Sequence, residues 1–183
     1  SKTGTFEKKI DDTKLVEAEW CNDMSVASKI YFDASGEVTE DISKAVVASV
    51  SYGANDRLVT TKTPTLKCNM MGLENSAALK IKSKVGLLTP DEIAFAGGSH
   101  KESSAYYLRD NASSNYYTMA PYLYSEVSGN SVNPNIMAVD SDGKLSGFSL
   151  SVNSISVRPA LVLRSDVTIT SGNGTQRNPY VIN

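Results

Sequence analysis

The sequence has few of the features by which a function is usually recognised. Its 183 residues include two cysteines, one histidine and one tryptophan, and its net charge at pH 7 is −2. A slightly acidic chain has no basic face for nucleic acid or anionic lipid. No apolar run approaches the roughly 18 residues of a membrane span. The start, SKTGTFEKKIDD, also lacks the apolar stretch of a signal peptide. We therefore expect no nucleic-acid partner and no membrane span in this fragment.

Catalytic motifs are also missing. The chain has no G-x-S-x-G, H-E-x-x-H or P-loop sequence, and its single histidine, His100, is expected to lie in a solvated loop. Nucleophilic catalysis needs a nucleophile, a base and a group that orients the base. The alternative is an extracellular hydrolase built from two carboxylates, such as Asp110 with Asp140, although no spacing selects this pair. The sequence therefore predicts a protein that is not an enzyme and has no catalytic residues.

The length of the chain predicts a single domain, residues 1–183, in which 1–20 are a linker or a leading helix. Apolar residues at spacings near three and four predict an amphipathic helix over residues 5–32. Residues 33–63 contain a turn followed by either a helix or a buried strand. The segment ALKIKSKVGLL (78–88) predicts a half-buried strand with an irregularity near Ser83. The fold class that we expect is α+β.

The segment GLLTPDEIAFAGG (86–98) predicts a short helix near residues 89–97. Thr89 is suited to the N-cap, Pro90 to the first helical position, and Glu92 to a capping box. Asp91 and Glu92 place negative charge where a helix N-terminus favours it. Gly97 is suited to a left-handed C-terminal cap. These two carboxylates are therefore explained by the helix and need no catalytic role.

Tyrosine is concentrated in one part of the chain, where six of the nine tyrosines lie between Tyr106 and Tyr124. The YYL and YYTM sequences there predict two short strands joined by a polar loop. Tyrosine combines apolar area with a polar tip and is frequent in recognition surfaces, but a tyrosine-rich core layer is equally compatible with the pattern. The candidate ligand-binding residues in and after this region are Tyr116, Tyr122, Tyr124, Asn133 and Asn135.

The C-terminal third predicts mainly strands. IMAVDSDGKLSGFSL (136–150) indicates strand, turn, strand. Asp140 and Asp142 resemble the start of a calcium loop, but later ligands of that motif are missing and a hairpin turn explains them better. We therefore predict no metal and no cofactor. SISVRPALVLRSDVTI (154–169) is the clearest strand signal, with an edge, a bulge or a strand start at Arg158-Pro159, and the tail predicts a short final strand.

The two cysteines, Cys21 and Cys68, are too far apart in sequence for a redox or zinc motif. They form a disulfide or remain as two buried thiols, and the count alone does not decide between these. Two N-x-[ST] sequences, at Asn111 and Asn173, and a composition rich in Ser, Thr, Asn and Tyr are common among exported proteins.

A series of short motifs occurs in order from about residue 20 to the end of the chain. They are CND (21–23), PTLKC (64–68), GLLTPDEIAFAGG (86–98), YYL (106–108), YTMAP (117–121), DG-x-L (142–145), VRPALVL (157–163) and GNGT-x-x-NPYVI (172–182). This series resembles a recurrent, poorly characterised extracellular domain of Gram-positive bacterial surface proteins. YTMAP followed by the VRPALVL strand is also similar to C-type-lectin-like folds, including relatives of formylglycine-generating enzymes.

The resemblance implies a family-like domain over residues 20–183, with a C-type-lectin-like fold of twisted antiparallel strands and long loops. It implies that Cys21 and Cys68 form a disulfide, and that the chain is extracellular or on the cell surface. The enzymatic chemistry of the formylglycine-generating relatives is not implied, because no further cysteine lies near the tyrosine-rich region. Similar tails also occur behind prepilin-type leader helices. This implies an alternative, the ectodomain of a minor type IV pilin with a helix packed on an antiparallel sheet.

The expected function is therefore that of a cell-surface binding or assembly module, either adhesin-like or associated with a pilus. Its tyrosine-rich loops are expected to contact a glycan, a protein or a neighbouring subunit of a surface filament.

Overall fold

A six-stranded sheet is the centre of the computed structural model, which describes residues 11–68, 80–103, 106–109, 114–127, 131–151, 155–175 and 177–183. The strands of this sheet, in spatial order, are β2 (Val26–Phe32), β3 (Val47–Tyr52), β7 (Tyr116–Val127), β8 (Ser131–Val139), β9 (Lys144–Ser149) and β6 (Ser99–His100). All neighbours are antiparallel except β6 and β9, which are parallel. Strands β2 and β6 are therefore the two edges.

Three two-stranded antiparallel sheets complete the described strands. They pair β1 (Ala18–Cys21) with β4 (Lys80–Ser83), β5 (Val85–Gly86) with β10 (Ala160–Leu161), and β11 (Ile169–Ser171) with β12 (Val181–Ile182). The indole of Trp20 on β1 joins two of these sheets, because its Nε1 donates to the carbonyl oxygen of Ser83 at 2.8 Å and its ring covers Gly86.

The described helices are short. Helix α1 (Gly53–Asn55) continues directly into a π-helical turn, Asp56–Thr60, and α2 spans Pro90–Phe95. Two 3₁₀ turns lie at Asp12–Lys14 and Ile42–Lys44. No helix among the described residues is long and apolar enough to cross a membrane.

Helix α2 begins and ends as its sequence predicts. The Thr89 hydroxyl accepts from the Glu92 amide at 3.1 Å, and the Glu92 carboxylate accepts from the Thr89 amide at 2.7 Å. Gly97 has φ +109° and the Gly98 amide donates to the carbonyl oxygen of Ile93, which closes the helix with a left-handed cap. The capping box and the C-terminal cap are both confirmed.

The hydrophobic core packs α2 and the π-helical turn against the central sheet. Met137 and Val139 alternate along β8 and therefore share a face, where both are fully buried. The remaining buried members of this cluster are Leu58, Ile93, Tyr106, Tyr116 and Leu145.

The helix predicted over residues 5–32 is wrong for the residues that the structure describes, because 18–21 and 26–32 form β1 and β2. Val16, Trp20 and Met24 are spaced by four, as on one face of a helix, but only Trp20 lies in a regular element, the strand β1. Pairing with β4 and β3 decides in favour of strands. The pilin-like alternative relied on the same helix, and residues 11–32 do not supply it.

The expected α+β class holds in its coarse form, since the described residues are mostly strand with a few short helices. The irregularity near Ser83 is the break between β4 and β5, and the strand-turn-strand pattern at 136–150 forms β8 and β9. The segment 154–169 is much less regular than predicted, because only Ala160–Leu161 and Ile169 among its described residues form ladder strands. Strand β10 does begin directly after Pro159, as a proline favours.

Candidate binding cavity at the bulge in strand β7

Strand β7 is irregular at its centre. Tyr117 pairs with Ala138 and Pro121 pairs with Ile136, so the strand advances four residues while its partner β8 advances two. A second irregularity follows between Pro121 and Leu123. Extra residues of this kind bend a strand and redirect its side chains. Pro121, which has no amide hydrogen, is compatible with such a bulge and not with a regular central strand.

Two hydrogen bonds hold the backbone of the bulge in place. The Met119 amide donates to the carbonyl oxygen of Leu88 at 2.9 Å, in the segment that leads into α2. The buried hydroxyl of Thr118 donates to the carbonyl oxygen of Met137 at 2.6 Å. Because buried backbone groups need partners, bonding of the Met119 amide and of the Met137 carbonyl oxygen stabilises the bulge within the sheet.

The bulge opens a cavity of about 370 Å³, here called the bulge cavity. Small-ligand sites are commonly of roughly 300–1,000 Å³. Met24 and Leu150 at its wall are 47% and 52% exposed, so the cavity is open to solvent beside them. The other lining residues come from β7, β8 and adjoining segments: Asn22, Tyr52, Leu87, Thr118, Met119, Ala120, Pro121, Leu123, Tyr124, Pro134, Asn135 and Ile136.

The lining determines what the bulge cavity can hold. None of its described lining residues is charged, and most are apolar. Asn22, Thr118, Asn135 and the two tyrosines, Tyr52 and Tyr124, supply the polar side-chain atoms. An apolar wall with a few polar groups suits an uncharged ligand, because burying an unpaired charge there would be costly.

The structure brings together two of the five predicted ligand-binding residues. Tyr124 and Asn135 both line the bulge cavity, on β7 and β8. Tyr122 lies elsewhere: its ring packs over Gly147 of β9, where an added Cβ would lie 2.1 Å from it, and it contacts the core. Asn133 pairs with Ser125 along the β7–β8 ladder, and its side chain is outside what the structure describes.

Tyr116 is a core residue, with 4% of its surface exposed. The guanidinium of Arg158 lies over its ring at 4.6 Å from the centroid, a cation–π contact. Burial raises the pKa of Tyr116 and of its neighbour Tyr106. Tyr107, by contrast, is 83% exposed. The tyrosine-rich segment therefore contributes to both the core and the surface, the two interpretations that the sequence left open.

The predicted disulfide between Cys21 and Cys68 is present, with the two Cα atoms 5.5 Å apart. A small cleft of about 40 Å³ lies between this disulfide and the bulge, and Met119 and Ala120 line both this cleft and the bulge cavity. The disulfide joins the end of β1, next to Asn22, to the segment before β4. It therefore supports the wall of the bulge cavity from outside the central sheet.

A buried ionic cluster lines the same cleft. Arg57 forms two bonds to Asp91, at 2.9 Å and 2.8 Å, and its Nη2 lies 2.8 Å from Asp23. Asp91 also accepts from the Thr65 amide at 2.9 Å. Burial alone would lower the pKa of Arg57, but the bonds and charges of Asp91 and Asp23 outweigh it and raise that pKa. Asp91, predicted as a first-turn carboxylate of α2, thus also links α2, through Arg57, to the π-helical turn and to the segment before β2.

The remaining candidates have structural roles. One oxygen of Asp140 accepts from the amides of Asp142 and Lys144 at 2.9 Å, which holds the β8–β9 turn, and Asp142 pairs with the ammonium of Lys144. In the described part of the chain, no group of three or more His, Cys, Asp and Glu side chains is placed to hold a metal. Asp110, the partner suggested for Asp140 in a hydrolase, lies outside the described residues.

The expectation that His100 lies in a solvated loop is wrong. His100 belongs to β6 and is half-buried, and its Nδ1 lies 3.0 Å from the carbonyl oxygen of Leu145. The reason is the parallel pairing of β6 with β9, a contact between segments 45 residues apart that no local pattern indicates.

Several residues of the bulge cavity were not found from the sequence, notably Tyr52, Leu87 and Met119. They come from separate segments, and each has an ordinary apolar or aromatic side chain. The one available signal was Pro121 inside a strand-like run, since a proline there indicates a bulge.

A scan against protein-family models found no match, and searches of curated proteins and of solved structures found no match either.

Proposed function

We propose that this chain is a non-enzymatic binding or assembly module of the bacterial cell surface, with a C-type-lectin-like arrangement of its strands and loops. The observation that carries the proposal is the bulge cavity, an uncharged pocket of about 370 Å³ that is open to solvent. Tyr124 and Asn135 are its ligand-contacting residues.

The lining favours a protein partner over a neutral glycan. Sugars present many hydroxyl groups that need hydrogen-bonding partners, whereas Met24, Leu123, Ile136 and Leu150 offer none. An apolar or aromatic side chain from another protein, such as a neighbouring subunit of a surface filament, would fill the cavity without leaving polar groups unpaired. Tyr124 would then contribute both ring area and a hydroxyl at the edge.

Two further observations support a surface location and a role without catalysis. A disulfide persists in oxidising environments such as the cell exterior. The two buried carboxylates that the structure describes, Asp23 and Asp91, are both bound by Arg57 and are engaged in the fold.

A binding screen with matched variants tests the proposal. The labelled chain is applied to arrays of bacterial surface proteins, host matrix proteins and glycans. Leu150→Trp is expected to abolish binding, because Leu150 is half-exposed at the cavity wall and a larger ring there would occupy the opening. Tyr124→Ala should weaken it, and Tyr107→Ala serves as the control, since Tyr107 is exposed and does not line the cavity.

The outcomes separate the alternatives. Capture of a protein by the wild type and Tyr107→Ala, but not by Leu150→Trp, supports the proposal. Binding that Leu150→Trp leaves intact places the contact elsewhere and overturns the role of the bulge cavity. Failure of surface-applied antibody to reach the chain on intact cells contradicts the surface location.

A further inference from the structure

The connection between β11 and β12 contains the only Asn-Gly pair in the sequence, Asn173-Gly174. Asn173, Gly174 and Thr175 are all exposed to solvent. Asparagine before glycine is the sequence in which a side-chain amide is most readily lost, because glycine has no side chain to obstruct the reaction between the two residues. The local geometry decides whether the folded chain permits that reaction.

The side chain of Asn173 forms a turn with the backbone that follows it. The Thr175 amide donates to Oδ1 of Asn173 at 3.2 Å, and the Thr175 hydroxyl donates to the same oxygen at 2.9 Å. The bond from the Thr175 amide makes this an Asx-turn. It closes a small ring that contains both the side-chain Cγ of Asn173 and the backbone nitrogen of Gly174. The turn therefore keeps close together the two atoms that deamidation would join.

The two donors on Oδ1 also activate the side-chain amide of Asn173. When the Gly174 nitrogen attacks Cγ, negative charge develops on Oδ1, and donors already aimed at this oxygen stabilise that charge as an oxyanion hole does. The Thr175 hydroxyl itself accepts from the Asn178 amide at 3.1 Å. Accepting this bond polarises the hydroxyl and strengthens its own donation.

The attacking group is available, and the fold requires glycine at its position. The Gly174 amide donates no hydrogen bond to another described residue, so no such bond has to break before it reacts. Gly174 has φ +78°, and an added Cβ would lie 2.6 Å from Cε2 of Tyr180. Both features exclude the larger residues that would slow the reaction.

We infer that Asn173 is a site of spontaneous deamidation in the folded chain. The Gly174 nitrogen loses its proton to hydroxide and forms a bond to Cγ. The bond from Cγ to Nδ2 then breaks and ammonia leaves, which gives a cyclic imide. Water opens the imide at either carbonyl group and yields aspartate or isoaspartate. No oxidant or reductant takes part, and the site is independent of the function proposed for the bulge cavity.

The two products have different effects on the connection. Aspartate keeps the Asx-turn, since a carboxylate accepts the same two bonds. Isoaspartate adds a carbon atom to the main chain, where space is lacking: an added Cβ on Gly172 would lie only 2.0 Å from the carbonyl oxygen of Pro179. We expect isoaspartate to break the bond from the Asn173 amide to Asn178 and to loosen the pairing of β11 with β12.

The test follows the mass of one peptide during incubation of the folded chain at neutral and mildly alkaline pH. Trypsin cleaves after Arg164 and Arg177, so Asn173 lies in the peptide 165–177. In water enriched in oxygen-18, deamidation incorporates one labelled oxygen, and fragmentation distinguishes aspartate from isoaspartate. We expect the folded chain to react at least as fast as a synthetic peptide of the same residues, with a rate that rises in proportion to hydroxide.

Two variants separate the role of the turn from the reactivity of the sequence. Thr175→Val keeps the amide donor but removes the hydroxyl, and should slow deamidation of the folded chain by about two- to tenfold while leaving the peptide unaffected. Asn173→Asp is the control for added charge: it releases no ammonia, and its NMR signals from Ile169 and Val181 should match those of the wild type. The isoaspartate product should shift these signals.

Three results would overturn the inference. The first is an unchanged Asn173 in the folded chain after the synthetic peptide has been converted, which would mean that the turn protects the residue. The second is an equal rate in the folded wild type and in folded Thr175→Val. The third is label incorporation at other asparagines while Asn173 remains intact.

Discussion

Arg57 and Asp91 are 34 positions apart in the chain, yet their side chains meet in a buried two-point ion pair, with Nε–Oδ1 at 2.9 Å and Nη2–Oδ2 at 2.8 Å. The same guanidinium reaches Asp23. One side chain thus connects α2, the segment before β2 and the helical turn that contains Arg57 itself.

Loss of Arg57 should be strongly destabilising. Arg57→Met leaves Asp23 and Asp91 buried without their counter-charge, and breaking a buried pair in this way costs about 3–5 kcal/mol of the free energy of unfolding. Urea unfolding followed by circular dichroism measures the change. Arg164→Met is the matched control, because Arg164 also forms two bonds to an aspartate but is exposed, so we expect little change. Equal losses in both variants would contradict the prediction.

Removal of the disulfide should destabilise the chain without unfolding its central sheet. Cys21 and Cys68 close a loop of 47 residues, for which the chain-entropy model gives about 4 kcal/mol. Cys21→Ser with Cys68→Ser should therefore lower the urea midpoint, and reduction of the wild type should lower it equally. A midpoint that is insensitive to reducing agent would show that the bond contributes nothing. The single variant Cys21→Ser distinguishes loss of the bond from damage at Cys68.

The buried tyrosines should make the fold sensitive to alkali. Burial raises the pKa of Tyr106, Tyr116 and Tyr122 above the ordinary value of about 10. The folded state therefore keeps protons that the unfolded chain releases, so the free energy of unfolding is constant below about pH 10 and falls as the pH rises above it. Urea titrations between about pH 8 and pH 11 measure this slope.

Two tyrosine variants separate this effect from general alkaline damage. Tyr106→Phe should reduce the fall of the free energy of unfolding with pH above about pH 10. The variant also loses the hydrogen bond from the Tyr106 hydroxyl to the carbonyl oxygen of Gly143. Tyr107→Phe, at an exposed position, should leave the slope as in the wild type. Identical slopes in all three proteins would refute the assignment.

Replacing either strained lysine by glycine should not destabilise the fold. Lys62 and Lys101 have φ near +60°, a conformation that costs a non-glycine residue about 1–2 kcal/mol. Lys62→Gly and Lys101→Gly relieve this cost, so stability should be unchanged or higher by up to about 1 kcal/mol after the entropy of glycine is counted. Thermal and urea unfolding measure it. A clear loss of stability would contradict the prediction and would show that the lysine side chains stabilise this conformation.

The sequence predicted those parts of the fold whose interacting residues lie within a few positions of one another in the chain. The cap of α2 needs only Thr89, Glu92 and Gly97, and the β8–β9 turn needs only the segment from Asp140 to Gly143. The break near Ser83 is visible as a slip in the alternation of apolar residues. Such features depend on interactions between residues that are close in sequence. They can therefore be predicted without knowledge of the rest of the molecule.

The helix predicted over residues 5–32 failed where a long-range pairing intervened. Val16, Trp20 and Met24 fit a helical face, but β1 and β2 gain their hydrogen bonds from β4 and β3. The spacing of apolar residues within a segment does not show whether the segment has partner strands elsewhere in the chain. Of the predicted ligand-binding residues, Tyr124 and Asn135 line the bulge cavity, whereas Tyr116 is in the core.

The sequence by itself determined the turn chemistry, the caps, the near-neutral charge and a cysteine pair available for a disulfide, because these are set by residue type and short spacing. Only the tertiary structure decided that Arg57 binds Asp23 and Asp91, that Tyr116 is buried, and that the strand of His100 pairs with β9. The physical reason is that these relationships join segments dozens of residues apart. They arise from strand pairing and core packing, whose energies depend on which surfaces meet and not on the order of residues along the chain.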